Sequence, residues 1–227
     1  MTYVVGASKV WNTNLIKKLE SEISGKFLLI EKPEDLTYES MARLKPKYIF
    51  FPHWSYIIPK SVFNNFECVI FHMTDLPFGR GGSPLQNLIS RGIYETKISA
   101  IKCVEKLDAG PIYLKRDLSL HGSAEEIYIR ASSVVEKMIV DLIKQNLVPI
   151  DQKGKETKFR RRAPKDSKLT NVNSLLEAFD HIRMLDAHDY PKAFVTNKTL
   201  KFEFSRASLR KDKIVADVII TMKNDEK

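Results

Sequence analysis

Two polar residues, His72 and Asp108, stand where apolar β-type runs give way to glycine-bearing turns, and an imidazole and a carboxylate are groups that can exchange protons with a substrate. His72 follows the run 67–71 and precedes Leu76-Pro77-Phe78-Gly79-Arg80-Gly81-Gly82-Ser83-Pro84, a loop whose three glycines permit backbone shapes that other residues resist. Asp108 lies in Lys106-Leu107-Asp108-Ala109-Gly110-Pro111, just past the run 97–104. Taken singly, a histidine is more often structural than catalytic, and an Asp before Ala-Gly-Pro is more often a turn residue. Together they say more, because both belong to strand ends that a parallel-type sheet brings to one edge, where open α/β sheets bind ligands.

Other chemistries find less support. The first turn, Val4-Val5-Gly6-Ala7-Ser8-Lys9, holds one glycine and no acidic ribose ligand, so a dinucleotide is not expected. No Gly-Lys-Ser/Thr follows the later glycine cluster, which excludes a P-loop, and neither Ser8 nor Ser83 sits in a nucleophile elbow. Cys68 and Cys103 form no metal or disulfide pattern, so no metal is expected. Residues 1–6 lack the charged start and cleavage site of a signal peptide, and no apolar run reaches the ~18 residues of a membrane span, which predicts a cytoplasmic protein without a membrane partner.

The elements that must position these residues alternate. The sequence predicts strands at 1–6, 27–30, 48–51, 67–71, 97–104 and 110–116, and helices at 12–23, 33–44, 85–91 and 124–145. In the last of these helices Ile127, Ala131, Val134, Val135, Met138 and Leu142 share one face. The pattern implies a doubly wound α/β domain whose later strands turn antiparallel. A helix at 174–185 and β segments at 193–195, 200–204 and 214–221 follow, with a hairpin turn at Asn197-Lys198-Thr199. This gives a domain over 1–165, a small α+β appendage over 166–227, and a charged tail at 223–227. The 227 residues carry a net charge of +9, concentrated between positions 151 and 168, where eight Lys or Arg face three Asp or Glu. Such a patch suits a phosphate-bearing partner, a diphosphate more readily than a long duplex; a solvated charged face is the alternative.

The run Phe71-His72-Met73-Thr74-Asp75-Leu76-Pro77-Phe78-Gly79-Arg80-Gly81-Gly82-Ser83-Pro84 resembles the signature of the folate-dependent formyltransferase family, in which a catalytic His lies five residues before a Pro. Leu107-Asp108-Ala109-Gly110-Pro111-Ile112 is similar to the second signature of that family, and Trp54-Ser55-Tyr56-Ile57-Ile58-Pro59 to the segment lining its pteridine pocket. Phe159-Arg160-Arg161-Arg162-Ala163-Pro164-Lys165-Asp166-Ser167 and Asp189-Tyr190-Pro191-Lys192-Ala193 are similar to segments of its nucleotide-sugar members, so the resemblance covers most of residues 45–205.

The resemblance implies a Rossmann-like formyltransferase domain with a mostly parallel mixed sheet, and N10-formyltetrahydrofolate as co-substrate. It implies that His72 donates to the formyl oxygen as an amine attacks, and that Asp108 takes up the proton the amine loses. Tyr56, Ile57, Ile58, Val104 and Leu107 are then expected around the pterin. Arg80, Gly81, Gly82, Arg160, Arg162 and Tyr190 are expected around the acceptor. The acceptor expected from the tail is a nucleotide-linked 4-amino-4,6-dideoxy sugar, as in surface-glycan or pseudaminic acid synthesis, and the 60 or so C-terminal residues look too few for the barrel of the tRNA-formylating members. The basic segment has Phe159 as its one nearby aromatic, so no base-stacking platform for a nucleic acid is apparent. One departure stands out: Ile70 occupies the position where the family carries an Asn that helps hold the oxyanion. The alternatives are therefore a methionyl-tRNA or other folate-dependent formyltransferase, and a folate-binding protein without turnover. The C-terminal β segments either pair across a two-fold axis as a homodimer or fold back on their own core.

Overall fold

A computed structural model describes residues 1–7, 10–12, 14–170 and 172–223. Ser8, Lys9 and most of the charged tail, 224–227, lie outside the described residues. The elements, in chain order, are β1 (Thr2–Ala7), α1 (Leu15–Glu22), β2 (Lys26–Ile30), α2 (Tyr38–Leu44), β3 (Tyr48–His53), the single turn α3 (Lys60–Phe63), β4 (Cys68–His72), β5 (Arg80–Gly81), α4 (Pro84–Ile89), β6 (Glu95–Lys102), β7 (Ile112–Ser119), α5 (Ala124–Gln145), β8 (Lys158–Phe159), α6 (Leu175–Arg183), β9 (Ala193–Thr196), β10 (Leu200–Leu209) and β11 (Ile214–Met222).

The chain divides into two compact units that interleave in sequence. The first comprises Met1–Gly81, Thr96–Leu118 and Ile129–Lys158. Its six-stranded sheet has the order β2-β1-β3-β4-β6-β7, with β1 parallel to β2 and β3, and β3 parallel to β4. This is the mostly parallel mixed sheet expected of a Rossmann-like domain. Strands β1 and β3 are buried along nearly their whole length, as unbroken apolar runs such as Tyr48-Ile49-Phe50-Phe51 require when both faces are covered. Helix α1 buries Leu15 and Leu19, one turn apart on the same face. The helix expected at 33–44 divides into a 3-10 turn (Pro33–Asp35) and α2, because the Thr37 hydroxyl accepts from the Ser40 amide at 3.2 Å and starts a new helix.

Strand β6 runs antiparallel to β4, with His72 opposite Ser99. Helix α5 begins at a capping box, in which the Glu126 carboxylate accepts from the Ser123 amide at 2.7 Å and the Ser123 hydroxyl from the Glu126 amide. Along it Ile127, Ala131, Val135, Met138 and Leu142 are buried, the stripe expected from their spacing.

The second unit comprises Gly82–Glu95, Ser119–Tyr128 and Phe159–Lys227. It holds a three-stranded antiparallel sheet of order β11-β10-β9, and Asn197 closes the β9–β10 hairpin by accepting from the Thr199 and Leu200 amides at 2.9 and 2.7 Å. Buried Arg183 is the tie of this unit. Its guanidinium meets Asp180 at 2.6 Å and donates to the carbonyls of Leu120 and Gly122 at 2.6 and 2.8 Å, while Asp180 also accepts from the Tyr94 hydroxyl. No described helix is long and apolar enough to cross a membrane.

Burial, with a lesser push from Arg162, holds the His181 imidazole below its ordinary value, although its bond to the Ser167 carbonyl opposes this. As pH falls below the unfolded value near 6.5, the unfolded chain binds the proton first, so stability present above that pH is lost toward the depressed folded value. Urea unfolding midpoints should therefore fall between pH 7.5 and 5.5, and His181→Gln should reduce that fall.

Candidate active site

Strand β4 delivers His72 to the start of the glycine loop. The hydroxyl of Ser99, opposite it on β6, pins the turn that follows by donating to the Thr74 carbonyl at 2.7 Å and accepting from the Leu76 amide at 3.3 Å. Gly79 and Gly81 have φ of 78° and 112°, which glycine reaches without strain. The Gly79 carbonyl thereby lies 2.8 Å from His72 Nε2, and because a carbonyl can only accept, that nitrogen carries a proton. The other ring nitrogen, Nδ1, is 3.6 Å from Asp108 Oδ2, an ion-pair separation when the ring is charged and beyond a hydrogen bond when it is neutral. Both residues are buried, at 7% and 8% exposure, and the same Asp108 oxygen accepts from the Gly81 amide at 2.8 Å. A buried imidazole, a buried carboxylate and a fixed N–H can together hold an anion, take up a proton, or do both.

The reason these residues meet differs from the one the sequence suggested. Parallel alignment of strand ends does not bring Asp108 to His72, since β4 and β6 are antiparallel. The loop after β6 does so, with Asp108 in the left-handed region at φ 50° and Gly110 pressed on the strand it leaves. A Cβ on Gly110 would sit 1.7 Å from the Lys102 carbonyl oxygen.

A second set of groups, of which the sequence marked only Arg80, holds the two loops. Gln152 donates to the carbonyls of Asp108 and Gly110 at 2.8 Å each, and accepts from Arg80 Nε and Nη2 at 3.1 and 2.7 Å. Arg80 also pairs with Glu156 at 2.6 Å, and Glu156 with Lys106 at 3.1 Å; these cations hold the Glu156 carboxyl below its ordinary range. Thr157 accepts from the amides of Gly79 and Arg80, the contact from which the short β5–β8 pairing grows. In a stretch that reads as solvated charge, these residues show no periodicity that would have marked them.

The other expected residues divide between the units. In the first, Ile58 is buried while Ile57, Leu107 and Tyr56 are 91%, 68% and 49% exposed. The Lys60–Glu105 ion pair joins the segment after Ile58 to the loop of Asp108. Val104 lines a cavity of about 390 Å³ with Phe63, Phe66, Lys102 and Cys103. Arg80 is buried in its network, so its fork faces Gln152 and Glu156. Ile70 lies between Phe51 and Ile101 and packs against the apolar core. Thr74 directs its hydroxyl at the Gly79 carbonyl at 3.5 Å, and His53 packs edge-on against Trp11.

In the second unit, Arg160 is exposed and pairs with Asp166 at 3.0 Å, while Arg162 is half-buried and donates to the Asp166 carbonyl. Tyr190 stacks on Tyr128, with their hydroxyls 2.8 Å apart. Gly82 is the residue on which Arg161 rests, since a Cβ there would meet the Arg161 Cβ at 2.5 Å. Among the described residues no group of three or more His, Cys, Asp or Glu is placed to hold a metal.

Comparison with known proteins fits this arrangement. The family described as "Methionyl-tRNA formyltransferase, C-terminal domain" matches residues 164–221. A methionyl-tRNA formyltransferase structure from Clostridium thermocellum is 48% identical, covers 98% of this chain and 100% of its own, and superposes with a TM-score of 0.95. A sugar N-formyltransferase from Shewanella sp. covers 87% of this chain and 93% of its own at TM-score 0.69 but is 16% identical, a likeness of fold alone. The curated methionyl-tRNA formyltransferase of Bacillus cytotoxicus is 28% identical over 203 residues, which are 85% of this chain and 64% of that relative's length. The chain belongs to the folate-dependent formyltransferase family.

These likenesses correct the expected acceptor. A nucleotide-linked amino sugar, with the surface-glycan and pseudaminic acid roles attached to it, does not stand against 48% identity to a methionyl-tRNA formyltransferase. Residues 164–221, which take in most of the tail read as sugar-binding, match that family's C-terminal domain. Locally, Arg160 already has an anionic partner in Asp166, and one face of the Tyr190 ring lies on Tyr128. The argument against a nucleic-acid partner, drawn from sparse aromatics, falls with the sugar.

Gly110→Ala should destabilise the fold by at least ~2 kcal/mol through the backbone overlap with Lys102, read as a lowered urea midpoint.

Proposed function

We propose that this chain transfers the formyl group of N10-formyltetrahydrofolate to the amino group of methionyl-tRNA. The observation that carries the reading is the buried His72–Asp108 contact at 3.6 Å beside the Gly81 amide. Likeness to a methionyl-tRNA formyltransferase over the whole chain supports the acceptor. In this reading residues 1–165 form the catalytic domain and 166–227 the appendage. The chain spans about two thirds or less of the length of several curated relatives, at 64% and 56% for two of them.

The residues present suit a folate. Exposed Ile57, Leu107 and Tyr56 are surfaces a flat heteroaromatic ring would cover, and Val104 faces a neighbouring cavity. The co-substrate supplies an activated formyl carbonyl; the chain's residues do the rest. With its Nε2 proton held by the Gly79 carbonyl, His72 in its charged form has the Nδ1 proton, on the edge facing Asp108, to offer the oxygen that gains charge as the amine adds. Asp108 stabilises the charged imidazole and accepts the proton lost by the amine, directly or through water; as the carbonyl re-forms, the bond between the formyl carbon and N10 breaks and N10 of tetrahydrofolate leaves with that proton. With Ile70 in place of an amide, His72 carries the oxyanion without that neighbour. The exposed cations Lys153, Lys155, Arg161, Lys165 and Lys168 suit a polyanionic acceptor, binding through phosphates.

Incubation with N10-formyltetrahydrofolate and methionyl-tRNA should yield formylmethionyl-tRNA, detected by mass spectrometry as one formyl group replacing one hydrogen on the aminoacyl group. His72→Asn and Asp108→Ala should each lower kcat by about a hundredfold to a thousandfold while tRNA affinity holds. That affinity should weaken steeply with salt. Failure of the unaltered chain to form product would overturn the assignment.

A further inference from the structure

The loop of Gly79–Gly81 and the loop of Asp108 are joined by one neutral side chain. Gln152 is half-buried, and its Nε2 donates both hydrogens, to the carbonyls of Asp108 and Gly110 at 2.8 Å each. Its Oε1 accepts from two nitrogens of the Arg80 guanidinium at 3.1 and 2.7 Å. An amide offers two donors at one end and an acceptor with two lone pairs at the other, so all of its capacity is used. The reverse amide orientation would set oxygen against two carbonyls and N–H against a cation, so its partners fix which way it points. Arg80 is itself 9% exposed, and its remaining charge is met by Glu156 at 2.6 Å.

We propose that Gln152 is a positioning residue for the formyl transfer proposed above, acting through Asp108. It fixes the carbonyl of the residue whose left-handed backbone aims the carboxylate, and it anchors the arginine that precedes Gly81, the amide donor to that same carboxylate. The proposal rests on the functional reading for its kinetic consequence and on the hydrogen bonds alone for its structural one. Small errors in the placement of a reacting group lower rates by as much as a hundredfold.

Two variants separate the halves of the bridge. Gln152→Glu keeps an acceptor for Arg80 but turns an oxygen onto the Asp108 and Gly110 carbonyls; Gln152→Ala removes both halves. Each should lower kcat by about 10- to 100-fold with KM for methionyl-tRNA within about twofold, the pattern of lost orientation rather than lost binding. In the same full-length proteins, NMR hydrogen exchange at the Gly81 amide should quicken by about tenfold or more, while exchange at the Ile49 amide in β3 stays unchanged. Wild-type kcat in Gln152→Glu, or unchanged exchange at Gly81 in either variant, would overturn the proposal, as would a matching rise at Ile49, which would mark a general loss of structure. Should the unaltered chain make no formylmethionyl product, the functional reading fails by itself, and exchange at Gly81 still decides the role of Gln152.

Discussion

A carboxylate withdrawn from water has to be given partners, and the placing of Asp108 governs how this molecule's central region is built. One of its oxygens lies 2.8 Å from the Gly81 amide and 3.6 Å from the His72 ring. Those two partners come from opposite ends of the glycine loop, so the carboxylate sets how that loop closes. The backbone at residue 108 must turn left-handed to bring it there, a conformation that non-glycine residues hold only when their surroundings insist. The surroundings here are the Gln152 amide on the carbonyl of residue 108 and the packing of Gly110 on β6.

Much of the sheet was readable in the sequence. Unbroken apolar runs such as Tyr48–Phe51 mark strands, and the apolar face of Ile127, Ala131, Val135, Met138 and Leu142 marks α5. His72 and Asp108 stood out by type and by the turns beside them, yet the reason given for their meeting was mistaken. Periodicity identifies a strand but not its direction, and β6 runs against β4. Gln152, Glu156 and Thr157 were invisible because hydrogen bonds between distant segments leave no local pattern.

The acceptor was misjudged for a related cause. A cluster of arginines advertises affinity for anions in general, and composition does not tell which anion or which arginines are free. Arg160 has Asp166 within 3.0 Å, and Tyr190 shares its ring with Tyr128. Likeness over the whole chain overturned the sugar, which counting charges could not do.

The sequence Asp-Ala-Gly-Pro invites a chemical explanation throughout, but its glycine serves clearance. With the Lys102 carbonyl oxygen where a methyl carbon would be, the chain doubles back on its own strand at a distance no side chain permits. The motif is therefore as much the imprint of a tight fold-back as of a catalyst.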